Sequence, residues 1–66
     1  MIKEMIKQFE GMKNEGKELR ILTKYCKCLV IKTKDLVNWE ENKMVWTENK
    51  KEKSIDYDKI LTYKLV

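Results

Sequence analysis

Apolar residues at the start of the chain recur with a helical period. Ile2, Met5, Ile6, Phe9 and Met12 fall on one face of a 3.6-residue repeat, and Lys3, Glu4, Lys7, Gln8 and Glu10 hold the other. Asn14 and Gly16 end the pattern, since both tolerate the left-handed conformation in which helices stop. A helix of about three turns is marginal alone, so its stripe must pack on the rest of the chain. After Gly16 the period drops to two. Leu19, Ile21, Thr23 and Tyr25 alternate with Arg20, Leu22 and Lys24, which predicts a first strand. A second, long run places Leu29, Ile31, Thr33, Val37 and Trp39 on one face, interrupted by Asp35, which reads as a bend or bulge within one strand.

A hairpin loop of Cys26, Lys27 and Cys28 pairs Tyr25 with Leu29, Thr23 with Ile31 and Ile21 with Thr33. That register gathers the apolar side chains on one face and leaves Arg20, Lys24, Lys32 and Lys34 on the other. A loop one residue shorter scrambles the two faces. Further on, Glu40–Lys43 reads as a turn, Met44–Thr47 as a third strand, Asn49–Lys53 as a turn and Ser54–Tyr57 as a fourth strand. Asp58 and Lys59 form a tight connection, of one 3₁₀ turn, and Ile60–Leu65 is the fifth strand. The expected fold is α+β in a single domain over 1–66. An amphipathic helix at about 2–14 precedes a five-stranded antiparallel SH3-like or Sm-like small barrel, partly open, at about 17–66, with the helix plugging one end.

The C-terminal stretch Ile55-Asp56-Tyr57-Asp58-Lys59-Ile60 resembles the last-hairpin motif of the Hfq family, a branch of the Sm-like RNA-binding proteins. Tyr57, Lys59 and Ile60 take the positions of that family's aromatic, Lys and β-branched residues. The chain departs from the pattern in having no His, with Asp58-Lys59 where the family carries Lys-His, and in lacking glycines in its second strand. Bacterial PH-like domains carry a similar aromatic-x-x-Ile signature. The resemblance implies an Sm-like barrel that binds RNA, with Tyr57, Lys59 and Ile60 joining its last two strands.

Composition then removes most chemistry. With 66 residues and 8.0 kDa, the chain buries about 60% of its unfolded surface, which leaves the fold marginal and favours a partner or self-association. There is no His, so Ser-His-Asp, Cys-His and His-based metal sites are excluded, and two glycines cannot build a phosphate-cradling loop. Glu40 and Glu41 are adjacent but sit on a solvated turn. We therefore expect no enzyme and no cofactor. Cys26 and Cys28 are too close to staple the fold. They read either as small apolar loop residues or as half of a metal site completed by a second chain. Their use, the amphipathic start and the absence of a long apolar run lead us to expect a cytoplasmic protein with no membrane partner. Fourteen lysines against one arginine, with no Ala or Pro, fit an AT-rich bacterial or phage genome. For a phage protein the setting is the host cytoplasm.

The charge is uneven. Residues 13–34 hold seven basic and two acidic groups, a balance of +5, whereas residues 35–66 balance to −1. This basic excess is either a solvated lysine surface or an anion-binding face built from point charges, weak in sequence preference because arginine is scarce. Aromatics in strands are either core or platforms on which bases stack. Trp39 and Trp46 flank one turn and offer such a platform. The expected ligand site comprises Arg20, Lys24, Tyr25, Lys32, Lys34, Trp39, Trp46, Tyr57 and Lys59, binding RNA or a phosphate-bearing nucleotide in a homo-oligomer. The alternative is a small phage inhibitor of a host defence system, which sequesters a signalling nucleotide or covers a host protein through the tryptophan turn.

Overall fold

The computed structural model describes residues 1–66. Helix α1 spans Ile2–Gly11 and is followed by β1 (Glu18–Thr23), β2 (Cys28–Lys32), β3 (Val37–Trp39), β4 (Lys43–Glu48), β5 (Lys51–Asp56), a 3₁₀ turn (Tyr57–Lys59) and β6 (Ile60–Leu65). The strands form two antiparallel three-stranded sheets, sheet A in the order β2-β1-β6 and sheet B in the order β3-β4-β5. Both sheets are open. In place of one partly open five-stranded barrel there are six strands divided between two sheets. The long second strand divides because the chain turns through Thr33–Asp35, where the Asp35 N–H donates to the Lys32 carbonyl at 3.0 Å. Asp35 therefore ends one ladder and lets β3 join a different sheet.

The core lies between the sheets. Met5 and Phe9 from α1 meet Leu19 and Ile21 of β1, Ile31 of β2, Met44 and Trp46 of β4 and Ile60 of β6. Burying each large aliphatic side chain there contributes about 1.5–3 kcal/mol. Phe9 also meets Trp39 edge-on, with ring centroids 5.5 Å apart. The apolar stripe of α1 is thus consumed inside the molecule, as its spacing predicts. The helix stops at Gly11, with the following residues in turns up to a left-handed Gly16 (φ 66°). No helix is long and apolar enough to cross a membrane.

The β1–β2 register differs from expectation. Ile21 faces Leu29 and Leu19 faces Ile31. The loop does have three residues, but they are Lys24, Tyr25 and Cys26. The Cys26 N–H donates to the Thr23 carbonyl, the Thr23 N–H donates to the Lys27 carbonyl, and Cys26 sits in the left-handed region at φ 63°. This is a type I turn closed by a bulge. The Thr23 hydroxyl fixes it by accepting the N–H groups of Tyr25 and Lys27, each at 3.2 Å. The register moves by an even number of residues, so the side chains that stay in the strands keep their expected faces, whereas Lys24 and Tyr25 leave them for the loop. The second hairpin is also tighter than expected. Asn49 and Lys50 (φ 53° and 66°) make a two-residue turn, and Lys51–Lys53 belong to β5. Their charge suits a sheet edge whose faces are exposed.

Candidate functional site

Tyr25 stands at the tip of the β1–β2 hairpin and is the one exposed aromatic side chain, at 64% exposure. The tip is tied down from outside the hairpin, where the Lys24 N–H donates to the Lys59 carbonyl at 2.8 Å. That bond brings the 3₁₀ turn beside the loop and sets the Lys59 ammonium 5.9 Å from the centre of the Tyr25 ring, within cation–π range. Lys59 is held above the ordinary lysine range, first by its interaction with the Tyr25 hydroxyl and then by Asp58 and Asp56. Between the tip and β5 lies a cleft of about 430 Å³. Leu29 and Ile55 supply apolar wall, Thr23 and Ser54 hydroxyls, and Lys27 and Lys59 positive charge, with Asp56 as the one acid. An aromatic platform beside two ammonium groups and a small apolar patch suits a flat ring that carries an anion.

The expected site does not assemble as one surface. Arg20 and Lys32 do lie on the outer face of sheet A, but Lys24 is in the tip and Lys34 is in the β2–β3 turn. Arg20 reaches Glu18 at 3.4 Å on that face. Lys34 and Lys32 instead approach Lys13 and Lys17 at the far end of the sheet. Trp46 is only 3% exposed and belongs to the core, so no base can stack on it. Trp39 is half-buried against Phe9. Both side chains point between the sheets because Val37 pairs with Trp46 and Trp39 with Met44, which puts all four on the inner face of sheet B. The turn between β3 and β4 therefore offers no exposed indole. Sequence reasoning missed Lys13, Lys17 and Lys27, which gain significance only through the turns that bring them near other lysines.

Tyr57 and Lys59 also part company. The Tyr57 hydroxyl donates to the Glu40 carbonyl at 2.7 Å and the Tyr57 N–H donates to the Asn42 carbonyl at 3.0 Å, which docks it on the β3–β4 turn. There it joins Glu40, Glu41, Asp56 and Asp58 around the largest concavity, about 700 Å³, with Lys43 as its only base. That surface repels anions. No family model, curated protein or solved structure matches the chain. The assignment of a ligand therefore rests on the geometry alone. Cys26 and Cys28 are both exposed and free. Cys28 is directed to the outer face of sheet A, opposite Leu22.

Proposed function

We propose that the chain is a non-enzymatic binding module that takes a phosphate-bearing nucleotide or RNA at the hairpin tip. Tyr25 supplies the stacking surface, and Lys59 and Lys27 pair with the phosphate. The exposed Tyr25 ring, locked beside Lys59 by the bond from Lys24 to the 3₁₀ turn, is the observation that carries this reading. Stacking on an aromatic contributes about 1–3 kcal/mol per base. In fold terms we read the two sheets, with the 3₁₀ turn between the last two strands, as an SH3-like or Sm-like barrel left open at its seams. The Hfq-like motif at Tyr57, Lys59 and Ile60 fits that reading through Lys59. Tyr57 lies in the acidic concavity instead. Self-association is part of the same proposal. The methionine face of α1 is spent on the core, so an edge strand is what remains for a second copy, and of the four edges we assign β6 to that contact.

Calorimetric titration with uridine monophosphate and with a cyclic dinucleotide, at low and high salt, tests the ligand. Tyr25→Ala should weaken binding at least about fivefold, the lower end of one stacking contact, and Lys59→Gln should weaken it as well. Both positions are on the surface, and circular dichroism should show the fold unchanged. Unaltered affinity in Tyr25→Ala would refute the proposal. Binding of the cyclic dinucleotide that resists high salt would point to a sequestering role rather than to a diffuse RNA-binding face.

A further inference from the structure

At the end of sheet A away from Tyr25, the α1–β1 connection meets the β2–β3 turn. Lys13, Lys17, Lys32 and Lys34 line the cleft between them, which measures about 390 Å³. The backbone enforces this meeting. The N–H and the hydroxyl of the buried Thr33 both donate to the Lys17 carbonyl, at 3.0 and 2.9 Å. The left-handed Gly16 turns the chain into β1 just before Lys17. Lys13 reaches Glu10 at 3.3 Å, and Glu18, the only acid lining the cleft, reaches Arg20. Lys17, Lys32 and Lys34 make no ion pair within 4.0 Å, and Glu18, the cross-strand neighbour of Lys32, turns to Arg20. Asp35 and Glu48 border the adjoining groove, and Glu48 is itself paired with Lys53 at 3.2 Å. Like charges held together in this way repel one another, and a bound polyanion relieves the repulsion.

This cleft and the Tyr25 pocket sit at opposite ends of β1. An extended chain from Lys17 to Lys24 covers about 23 Å, and the molecule's longest dimension is 29 Å. Between them the outer face of sheet A carries the cross-strand pair Arg20 and Lys64, then Leu22, Cys28 and Thr62 toward the tip, whereas Thr23 and Leu29 of the tip cleft belong to the inner face, so a ligand that fills both sites passes around the edge of the sheet. A mononucleotide cannot reach both ends. We propose that the ligand is a single strand of nucleic acid, with a base on Tyr25 and the backbone reaching the lysine cleft around the edge of sheet A. This rests on the tip site proposed above and adds a second, separate contact to it. Lysine point charges fit a backbone-tracking strand, for which base identity matters little.

The test compares oligouridylate and oligothymidylate of two and eight nucleotides, alongside uridine monophosphate, on the full chain. The eight-nucleotide strand should bind at least tenfold tighter than the two-nucleotide one, and the better of the two sugars identifies the source. In the triple variant Lys17→Gln, Lys32→Gln, Lys34→Gln the length dependence should vanish. Its log–log salt slope should fall by about 2, as expected for three lost phosphate contacts on a single strand. Binding of the monophosphate should stay as it is. All three lysines are exposed, so the variant should keep its fold. Equal affinity for short and long strands, or an unchanged slope in the triple variant, would overturn the second contact even where Tyr25→Ala abolishes monophosphate binding. A Tyr25→Ala chain that binds the monophosphate normally would instead defeat the tip site, and the salt slope still decides the cleft.

Discussion

Replacing Phe9 with Ala measures how far the fold depends on its helix. The ring is fully buried and touches Trp39 edge-on, so it bridges α1 to sheet B while Met5 anchors the helix within the same core. Truncating a buried Phe costs about 3–5 kcal/mol through lost transfer energy and the cavity left behind. About 0.5–1.5 kcal/mol of that reflects the aromatic pair. A domain of this length has about 3–10 kcal/mol of stability in total. The substitution thus removes between a third of the stability and all of it. At roughly 4–8 °C per kcal/mol, the melting temperature should fall by at least about 12 °C. Urea unfolding followed by tryptophan fluorescence and by far-ultraviolet circular dichroism is the assay. Trp39 and Trp46 report the core, and dichroism reports the backbone. The two transitions should shift together. Gln8→Ala, on the exposed side of the same helix, should stay within about 0.5 kcal/mol of the parent. A Phe9→Ala chain within about 1 kcal/mol of the parent would show that the helix is an appendage and that the sheets are stable without it.

Two further outcomes follow from local geometry. Lys50 occupies the left-handed region in a two-residue turn after Asn49, so Lys50→Gly creates the Asn-Gly pair such turns favour. It should raise stability by about 0.5–1 kcal/mol after the entropy of glycine is deducted, and a lower melting temperature would contradict the turn assignment. The Tyr57 phenol is raised above its ordinary value of 10.0, by burial first and then by the charge of Glu40. The folded state thus holds this proton more tightly than the unfolded chain. The stability it contributes is complete below pH 10.0 and is lost as pH rises through the higher folded value. Urea midpoints should therefore drop across the alkaline range, and Tyr57→Phe should remove part of that drop while costing about 1 kcal/mol at neutral pH for the lost hydrogen bond.

The readable features are those written in periodicity. The 3.6-residue spacing of Ile2, Met5, Phe9 and Met12 and the alternation from Leu19 to Thr23 follow from which side chains avoid water, and the structure obeys both. Alternation is blind to even shifts, however. Pairing Ile21 with Thr33 or with Leu29 leaves the same residues inside, and what selects the second is the Thr23 hydroxyl holding a turn around Tyr25. The tryptophans were illegible for a related reason. Flanking one turn puts Trp39 and Trp46 close together, but only the pairing of β3 with β4 decides that they face inward. The lysine cleft joins residues from two connections, where no period operates.

The free edge of β6 has a consequence for solubility. Its ladder to β1 uses one side of the strand, and the segment Ile60-Leu61-Thr62-Tyr63-Lys64-Leu65 combines high β-propensity with no proline and one charge. β5, at the edge of the other sheet, is interrupted by Lys51, Glu52 and Lys53 and discourages edge-to-edge growth. In β6 that protective task falls to Lys64 alone. The ammonium that stands opposite Arg20 on the outer face is thus the gatekeeper of this edge. Neutralising it would ease the stacking of one molecule on the next, and the first sign would be turbidity.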